Sequence, residues 1–334
     1  MYVFGDSTLD VGNNNYLPGT NVPRANMPYY GVDFPGVPAG RFSNGYNTAD
    51  YIGGPLPYLL LAPSPSLLVS TALRSGVSYA SGGAGILDST NAGNNIPLSK
   101  QVQYFNATKS KMVAEIGPSA VNALLAKSFF LIGIGGNDLF AFANVEQARN
   151  RSSAMDMQSD AAAFYGSLIS NYSAAITDLH TMGARKFAII GVGLAGCLPV
   201  PRVLDTAGSC SDGRNMLAAG FNEGLGSLLA GLASRLPGFV YSLADSYGLM
   251  VDTFGHPKAS GFTDIAGACC GAGRLGAETD CLPNSTLCAD RDGYYFWDRV
   301  HPTQRAAMLR AQAFYDDGMS RYTTPISFKQ LIYT

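Results

Sequence analysis

The sequence predicts a three-layer α/β/α fold around a mainly parallel, five-stranded sheet. Two observations carry this expectation. Short apolar runs bounded by glycine recur along the chain, as buried parallel strands require, and segments of helical periodicity lie between them. The strand-like runs cover residues 2–4, 76–80, 129–134, 187–192 and 239–243, and the helical patterns cover 98–116, 155–182, 215–235 and 302–315. In the longest of these, Phe164, Leu168, Ile169, Tyr172, Ile176 and Leu179 follow the 3.6-residue period, and Gly183 marks the end. No linker-like stretch divides the 334 residues, so residues 1–334 read as one domain. Two stretches are irregular. Residues 12–45, rich in Asn, Pro and Gly, read as a long ordered surface loop, and residues 253–294 as a region stapled by cysteines.

Composition narrows the function. The formal net charge is −2 and 14% of residues are charged, with no basic stripe or acidic tail, so nucleic-acid binding has no support. No apolar run reaches the roughly 18–20 residues of a membrane span. The runs 56–61 and 129–134 suit core elements instead. The chain opens at Met1 directly inside what reads as a first buried strand, so a leader ahead of this numbering is expected.

The six cysteines show neither C-x2-C spacing nor histidines at ligand spacing, which favours disulfides over zinc. Cys197 and Cys210, neighbours across a short loop, are the preferred pair. Cys269 and Cys270 are expected to pair separately with Cys281 and Cys288, in either order. N-glycosylation sequons stand at Asn106, Asn150, Asn171 and Asn284. Cysteines and sequons together point to a secreted protein or one of the endomembrane lumen.

In an open α/β sheet, ligands bind beyond the carboxyl ends of the strands, so reactive residues should follow strands directly. Three clusters do. Gly5-Asp6-Ser7 follows the first run and offers an exposed hydroxyl, or a plain helix cap if a helix begins nearby. Ser81-Gly82-Gly83-Ala84-Gly85 follows the second. It presents backbone N–H groups but matches neither G-x-G-x-x-G nor the P-loop, leaving a tight turn as the alternative to a ligand loop. Gly135-Gly136-Asn137-Asp138 follows the third, where Asn137 offers an amide donor and Asn-Asp is also ordinary turn chemistry.

The decisive segment is Phe296-Trp297-Asp298-Arg299-Val300-His301-Pro302-Thr303. Of the three histidines, His180 lies within a helical pattern, and His256 has no carboxylate at a suggestive spacing. His301 has Asp298 three residues before it and is expected to begin a helix with Pro302 in its first turn. A carboxylate so placed reaches one imidazole nitrogen while the other faces a hydroxyl, the relation of orienter, base and nucleophile. Asp-x-x-His also suits a metal pair, but no third ligand is visible. There is no G-x-S-x-G, so the nucleophile-elbow hydrolases are not indicated.

Taken together these clusters resemble the GDSL-type esterase/lipases of the SGNH hydrolase superfamily, in its plant branch. The matching pieces run from Phe4-Gly5-Asp6-Ser7 through Asn15, then Gly40-Arg41-Phe42-Ser43-Asn44-Gly45, 79–85, Gly135–Asp138 and Gly196-Cys197-Leu198-Pro199 to Thr303. The resemblance implies a flavodoxin-like SGNH fold and a serine ester hydrolase needing no metal or organic cofactor. It makes Ser7 the nucleophile, His301 the general base and acid, and Asp298 its orienter. The Ser7 N–H, a glycine N–H and the Asn137 side chain would form the oxyanion hole. By position that glycine is Gly83, with Gly82 as the alternative. Asp10 and Asp138 would support the site, and Arg41 and Asn44 would be structural. Thr8 departs from the family's leucine, and Ser78 stands where many relatives have Asn, which would loosen the anchoring of the glycine loop. The partner expected is a small-molecule or lipid ester. An acyltransferase using the same acyl-enzyme and a catalytically weak lipid-binding relative are the alternatives.

Overall fold

The computed structural model describes residues 1–35, 38–149, 154–315 and 321–334. Its strands in chain order are β1 (Tyr2–Gly5), β2 (Leu56–Pro57), β3 (Val77–Ser78), β4 (Phe129–Gly133), β5 (Lys186–Ile190), β6 (Val240–Ala244), β7 (Asp264–Ala268), β8 (Cys270–Gly271), β9 (Thr286–Leu287), β10 (Tyr294–Phe296) and β11 (Thr323–Thr324). Seven of them form the central sheet, in the order β11-β6-β5-β4-β1-β3-β2. All neighbours are parallel except β11, which is antiparallel to β6.

The five expected strands are present, but the sheet has seven. The additional β2 and β11 are two-residue edges, and β2 contains Pro57. Two residues carry no periodicity to read, and a proline is tolerated only at an edge. The pair β7–β10 and the pair β8–β9 form two small sheets within the irregular C-terminal region.

Alternation along the strands builds the layers. Tyr2, Phe4, Phe130, Ile132, Phe187 and Ile189 face one core, against the helices Leu98–Ile116, Ala154–Thr181 and Asp212–Arg235. Val3, Phe129, Leu131, Ala188 and Ile190 face the other, against the helices Gln304–Tyr315 and Phe328–Tyr333. Period-two alternation with both sides apolar is what a sheet covered on both faces requires. A run of ring contacts (Tyr2, Phe4, Tyr79, Phe105, Phe130) stiffens the first core, with centroids 5.1–6.3 Å apart.

The chain leaves β1 toward β3 and β2 on one side and later builds β4, β5 and β6 on the other, so strand order reverses at β1. That switch point opens a crevice at the carboxyl end of β1. Three disulfides are present: Cys197–Cys210, as expected, and Cys269–Cys288 with Cys270–Cys281, which resolves the open order as a nested pair. Among the described residues no helix is long and apolar enough to cross a membrane.

Gly5 ends β1 with φ +154°, and a Cβ there would stand 2.4 Å from the Gly133 carbonyl oxygen on β4. Gly5→Ala is therefore expected to destabilise the fold by about 2 kcal/mol or more and to displace Asp6 and Ser7. Urea denaturation alongside ester turnover checks this, and a variant with unaltered midpoint and turnover would contradict it.

Candidate active site

The turn after β1 separates two side chains that were both candidate caps. The Asp6 carboxylate accepts the Thr8 N–H at 2.9 Å and the Thr8 O–H at 2.8 Å, and the Asp6 carbonyl accepts the N–H groups of Leu9 and Asp10. No helix begins at this point; the chain makes one closed turn, and a short 3-10 helix follows only at Asn13–Tyr16. Asp6 does the capping, and the Ser7 hydroxyl is left to face the crevice. Beneath the turn, the buried Gln101 holds the Gly5 peptide from both sides. Its Oε1 accepts the Gly5 N–H and its Nε2 donates to the Gly5 carbonyl, each at 2.8 Å.

Asp10 ties this turn to the glycine loop. One carboxylate oxygen accepts the N–H groups of Gly12 and Asn13, and the other accepts those of Gly82 (3.0 Å) and Asn14 (3.4 Å). The Gly82 N–H is thus committed. The N–H groups of Ser7 and Gly83 have no partner among the described residues, and Gly83 is held at φ +80° with its carbonyl accepting the Asn91 amide. Asn137, in the first turn of the helix Gly136–Arg149, donates one amide proton to the Ala84 carbonyl at 2.9 Å, which leaves its second proton available. Asp138 accepts the N–H groups of Ile86 and Leu87 and the Thr90 hydroxyl, fixing the far side of the loop. Burial pushes its carboxyl upward against those donors.

The Ser78 hydroxyl is buried without a partner, but the Asn13 amide donates to the Ser78 and Ala80 carbonyls and the Asn14 amide to Gly82. These asparagines belong to the 12–45 stretch, which is a surface loop only in part: residues 18–21, Asn26, Pro28 and Val32 are exposed, but other positions turn inward. Asn13, Asn14, Ala25, Phe42 and Asn44 within it are buried. Polar residues go inside because the side-chain amides satisfy buried backbone carbonyls.

On the other side of the crevice, Asp298 folds the chain back on itself. Its Oδ1 accepts the N–H groups of Val300 (2.9 Å) and His301 (2.8 Å), and its Oδ2 lies 2.7 Å from His301 Nδ1. A carboxylate only accepts, so Nδ1 carries the proton in the neutral ring and Nε2 is the acceptor. His301 Nε2 lies 2.8 Å from Ser7 Oγ. Burial alone would raise the Asp298 carboxyl. The His301 charge and the hydrogen bonds from His301, Val300 and Tyr30 outweigh it and hold the group below the usual carboxylate range.

The helix expected from residue 302 begins at Gln304. Pro302 instead bridges to Phe296, and the Thr303 hydroxyl accepts the Ala306 N–H, so the cap lies two residues later than Pro302 suggested. His180 is a satisfied core histidine beside the Pro237 carbonyl, and His256 is exposed.

The crevice is a cavity of about 370 Å³ in which Asp6, Ser7, Asn137 and His301 meet walls of Ile134, Phe140, Val192, Leu194, Met250 and Phe296. Apolar walls with a few convergent polar groups suit an organic ligand of moderate size. The geometry can pass a hydroxyl proton to an imidazole and present N–H donors to a developing oxyanion.

Comparison with known proteins gives this geometry its family. The profile of the family described as GDSL-like Lipase/Acylhydrolase matches residues 1–314. The chain is 40% identical to the GDSL esterase/lipase At5g55050 of Arabidopsis thaliana, covering 100% of this chain and 90% of that one. It is 35% identical to the GDSL esterase/lipase At1g74460 of the same plant, over 97% and 91%. The chain belongs to this family. It is a serine ester hydrolase of the GDSL type, with the α/β architecture its sequence pattern indicates.

Within this GDSL hydrolase, Arg41 and Asn44 are fasteners. Arg41 makes a two-pronged ion pair with Asp50 (2.7 and 2.8 Å), and the Asn44 side-chain oxygen accepts the Gln304 N–H at 2.8 Å. Three residues of the site went unread in the sequence. Gln101 had a signal, a polar residue on the apolar face of the helix Leu98–Ile116. Tyr30, which donates to Asp298 Oδ2 at 2.8 Å, and Phe42, whose ring lies 4.9 Å from that of His301, sit in aperiodic chain with no such mark.

Burial pushes the Asp10 carboxyl up to about 6 against the pull of its four N–H donors. An unfolded aspartate titrates near ~3.9. Because the folded value is the higher one, the stability Asp10 contributes is complete below the unfolded value and is lost as pH rises through 6, about 3 kcal/mol in all. Asp10→Asn removes this titration. The stability of the natural chain relative to that variant should fall by about that amount between roughly pH 4 and 7.5 in urea denaturation. A difference that stays flat would contradict it.

Proposed function

We propose that this hydrolase works by two-step acyl transfer through Ser7. The reading is carried by one observation, the continuous chain from Ser7 Oγ to His301 Nε2 (2.8 Å) and from His301 Nδ1 to Asp298 (2.7 Å). Ser7 Oγ attacks the ester carbonyl while its proton passes to His301 Nε2. The oxyanion is met by the N–H groups of Ser7 and Gly83 and by the free Asn137 amide proton. The intermediate collapses, and the leaving alkoxide takes the proton from His301. Water then attacks the acyl-enzyme with His301 again as base, releasing the acid and freeing Ser7. Asp298 holds the imidazole tautomer and balances its charge. Asp10 and Asp138 hold the glycine loop and Asn137 in register.

The substrate class that fits the cavity is an ester with an apolar acyl or alcohol part, lying against Phe140, Leu194 and Met250. Residues 1–334 act as one domain in this reading. The three disulfides favour an extracellular or endomembrane-lumen setting. N-glycans fit Asn106, Asn171 and Asn284, which are exposed, while Asn150 lies outside the described residues.

Ser7→Ala should lower turnover of short-chain p-nitrophenyl esters by at least about 10⁴-fold. Near-normal turnover would remove Ser7 from the role. Asn137→Ala should lower kcat by about 10²–10³-fold with KM changed little, the mark of a donor used only in the transition state. Steady-state kinetics separate that from a loss confined to KM, which would assign Asn137 to substrate binding instead.

A further inference from the structure

Asp298 is almost wholly buried, and its two oxygens are used differently. Oδ1 takes backbone N–H groups from its own turn, those of Val300 and His301. The His301 ring N–H reaches both oxygens, 2.9 Å from Oδ1 and 2.7 Å from Oδ2, and Oδ2 takes one further donor, the Tyr30 O–H at 2.8 Å. That hydroxyl comes from 268 residues away in the chain.

The chain goes to some length to deliver it. Tyr29, just before, sits at φ 80°, a left-handed backbone that residues with a Cβ rarely adopt and that clusters at functional sites. Just after, the Gly31 N–H donates to the Ser43 carbonyl at 2.8 Å and the Asp33 N–H to the Asn44 carbonyl at 2.7 Å. Asp33 is gripped by Arg291 through two contacts of 2.6 Å and by the Asn44 amide at 2.8 Å. Asn44 in turn accepts the Gln304 N–H. The segment bearing Tyr30 is thus bolted to the chain on both sides of the Asp298–His301 turn, at Arg291 and at Gln304. Phe42 fills the space between, against both the Tyr30 and the His301 rings.

A tyrosine that merely packed would satisfy its hydroxyl on any nearby carbonyl. This one uses the carboxylate oxygen that also orients the imidazole. Building on the proposed roles of Ser7, His301 and Asp298, we propose that Tyr30 is a positioning residue for the Asp298–His301 pair. Its O–H fixes the carboxylate plane and draws off part of the carboxylate charge that faces the imidazole. Burial first, and then the Asp298 charge, hold the Tyr30 phenol well above its ordinary range, so it remains a donor throughout the working pH.

Other ionisable groups around the pair are Asp6, on the turn after β1, and Asp280, from the cysteine-rich region. Asp6 interacts with the charges of His301 and Arg310. Asp280 acts on Tyr30 from a distance and is paired with Arg299 at 3.1 Å. Replacing Tyr30 alters neither of them directly.

The test is the pH profile of kcat/KM for Tyr30→Phe in the full chain, on a short p-nitrophenyl ester read at the isosbestic wavelength. Without the phenol the carboxylate holds the imidazolium proton more tightly. The acid limb should move to higher pH by about 0.5–1 unit, and kcat should fall by about 3–30-fold with KM nearly unchanged. Tyr30→3-fluorotyrosine, a stronger donor of nearly the same shape, should move the limb to lower pH, and it decides the matter if the Phe variant folds poorly. An acid limb unmoved in a folded variant, with Ser7→Ala inactive, would overturn this proposal alone. Activity surviving in Ser7→Ala would overturn the shared reading and this proposal with it.

Discussion

The hold on the Gly5 peptide is the constraint from which the rest of the site follows. β1 lies where strand order reverses, and its last residue is pinned laterally by β4 and from below by both ends of the Gln101 amide. No side chain fits at Gly5, so the β4 backbone comes close enough for the Asp6 N–H to reach the Gly133 carbonyl at 3.1 Å. The turn that follows has one course open to it. Asp6 spends its carboxylate on that turn, and Ser7 is carried to the rim with its hydroxyl unspent. Every other group in the crevice is arranged relative to this fixed point.

Around it, buried carboxylates do the arranging. Asp10, Asp138 and Asp298 each gather backbone N–H groups from chain that has no regular structure of its own. An ion enclosed in this way is costly unless its lone pairs are filled, so each aspartate forces several peptides into one orientation at once. That is how loops, which lack a ladder of hydrogen bonds, reach the precision of strands. The same need explains the unusual supply of buried asparagines near the N-terminus, whose amides answer carbonyls that no strand or helix would satisfy.

Much of this was legible because it is periodic or chemically marked. The five long apolar runs became strands, and the clusters at Ser7, Asn137 and His301 converged on one crevice, since each follows a strand end or sits in a segment whose Asp-x-x-His spacing has a geometric meaning. What escaped has a common physical cause. β2 and β11 are too short to show a period, and the start of the last helix was decided by the Thr303 hydroxyl and the bridge at Pro302 rather than by helix preference. Tyr30 and Phe42 act through contacts about 260 to 270 residues away in sequence, which no local pattern records. Gln101 alone left a trace, as an amide on the mainly apolar buried face of its helix.

The Ser7 hydroxyl and its imidazole partner stand 294 residues apart in the chain. Synthesis runs from the N-terminus, and contacts between distant parts of a chain are the last to be made. A growing polypeptide therefore carries Ser7 without its imidazole partner until residue 301 has been made. The turn at Asp298 must also close, resting on β10 and on the Cys269 and Cys270 N–H groups that donate to the Phe296 and Trp297 carbonyls. The contact between Ser7 and His301 thus forms only after β1 through β10 have been made, and a chain cut before residue 301 lacks it.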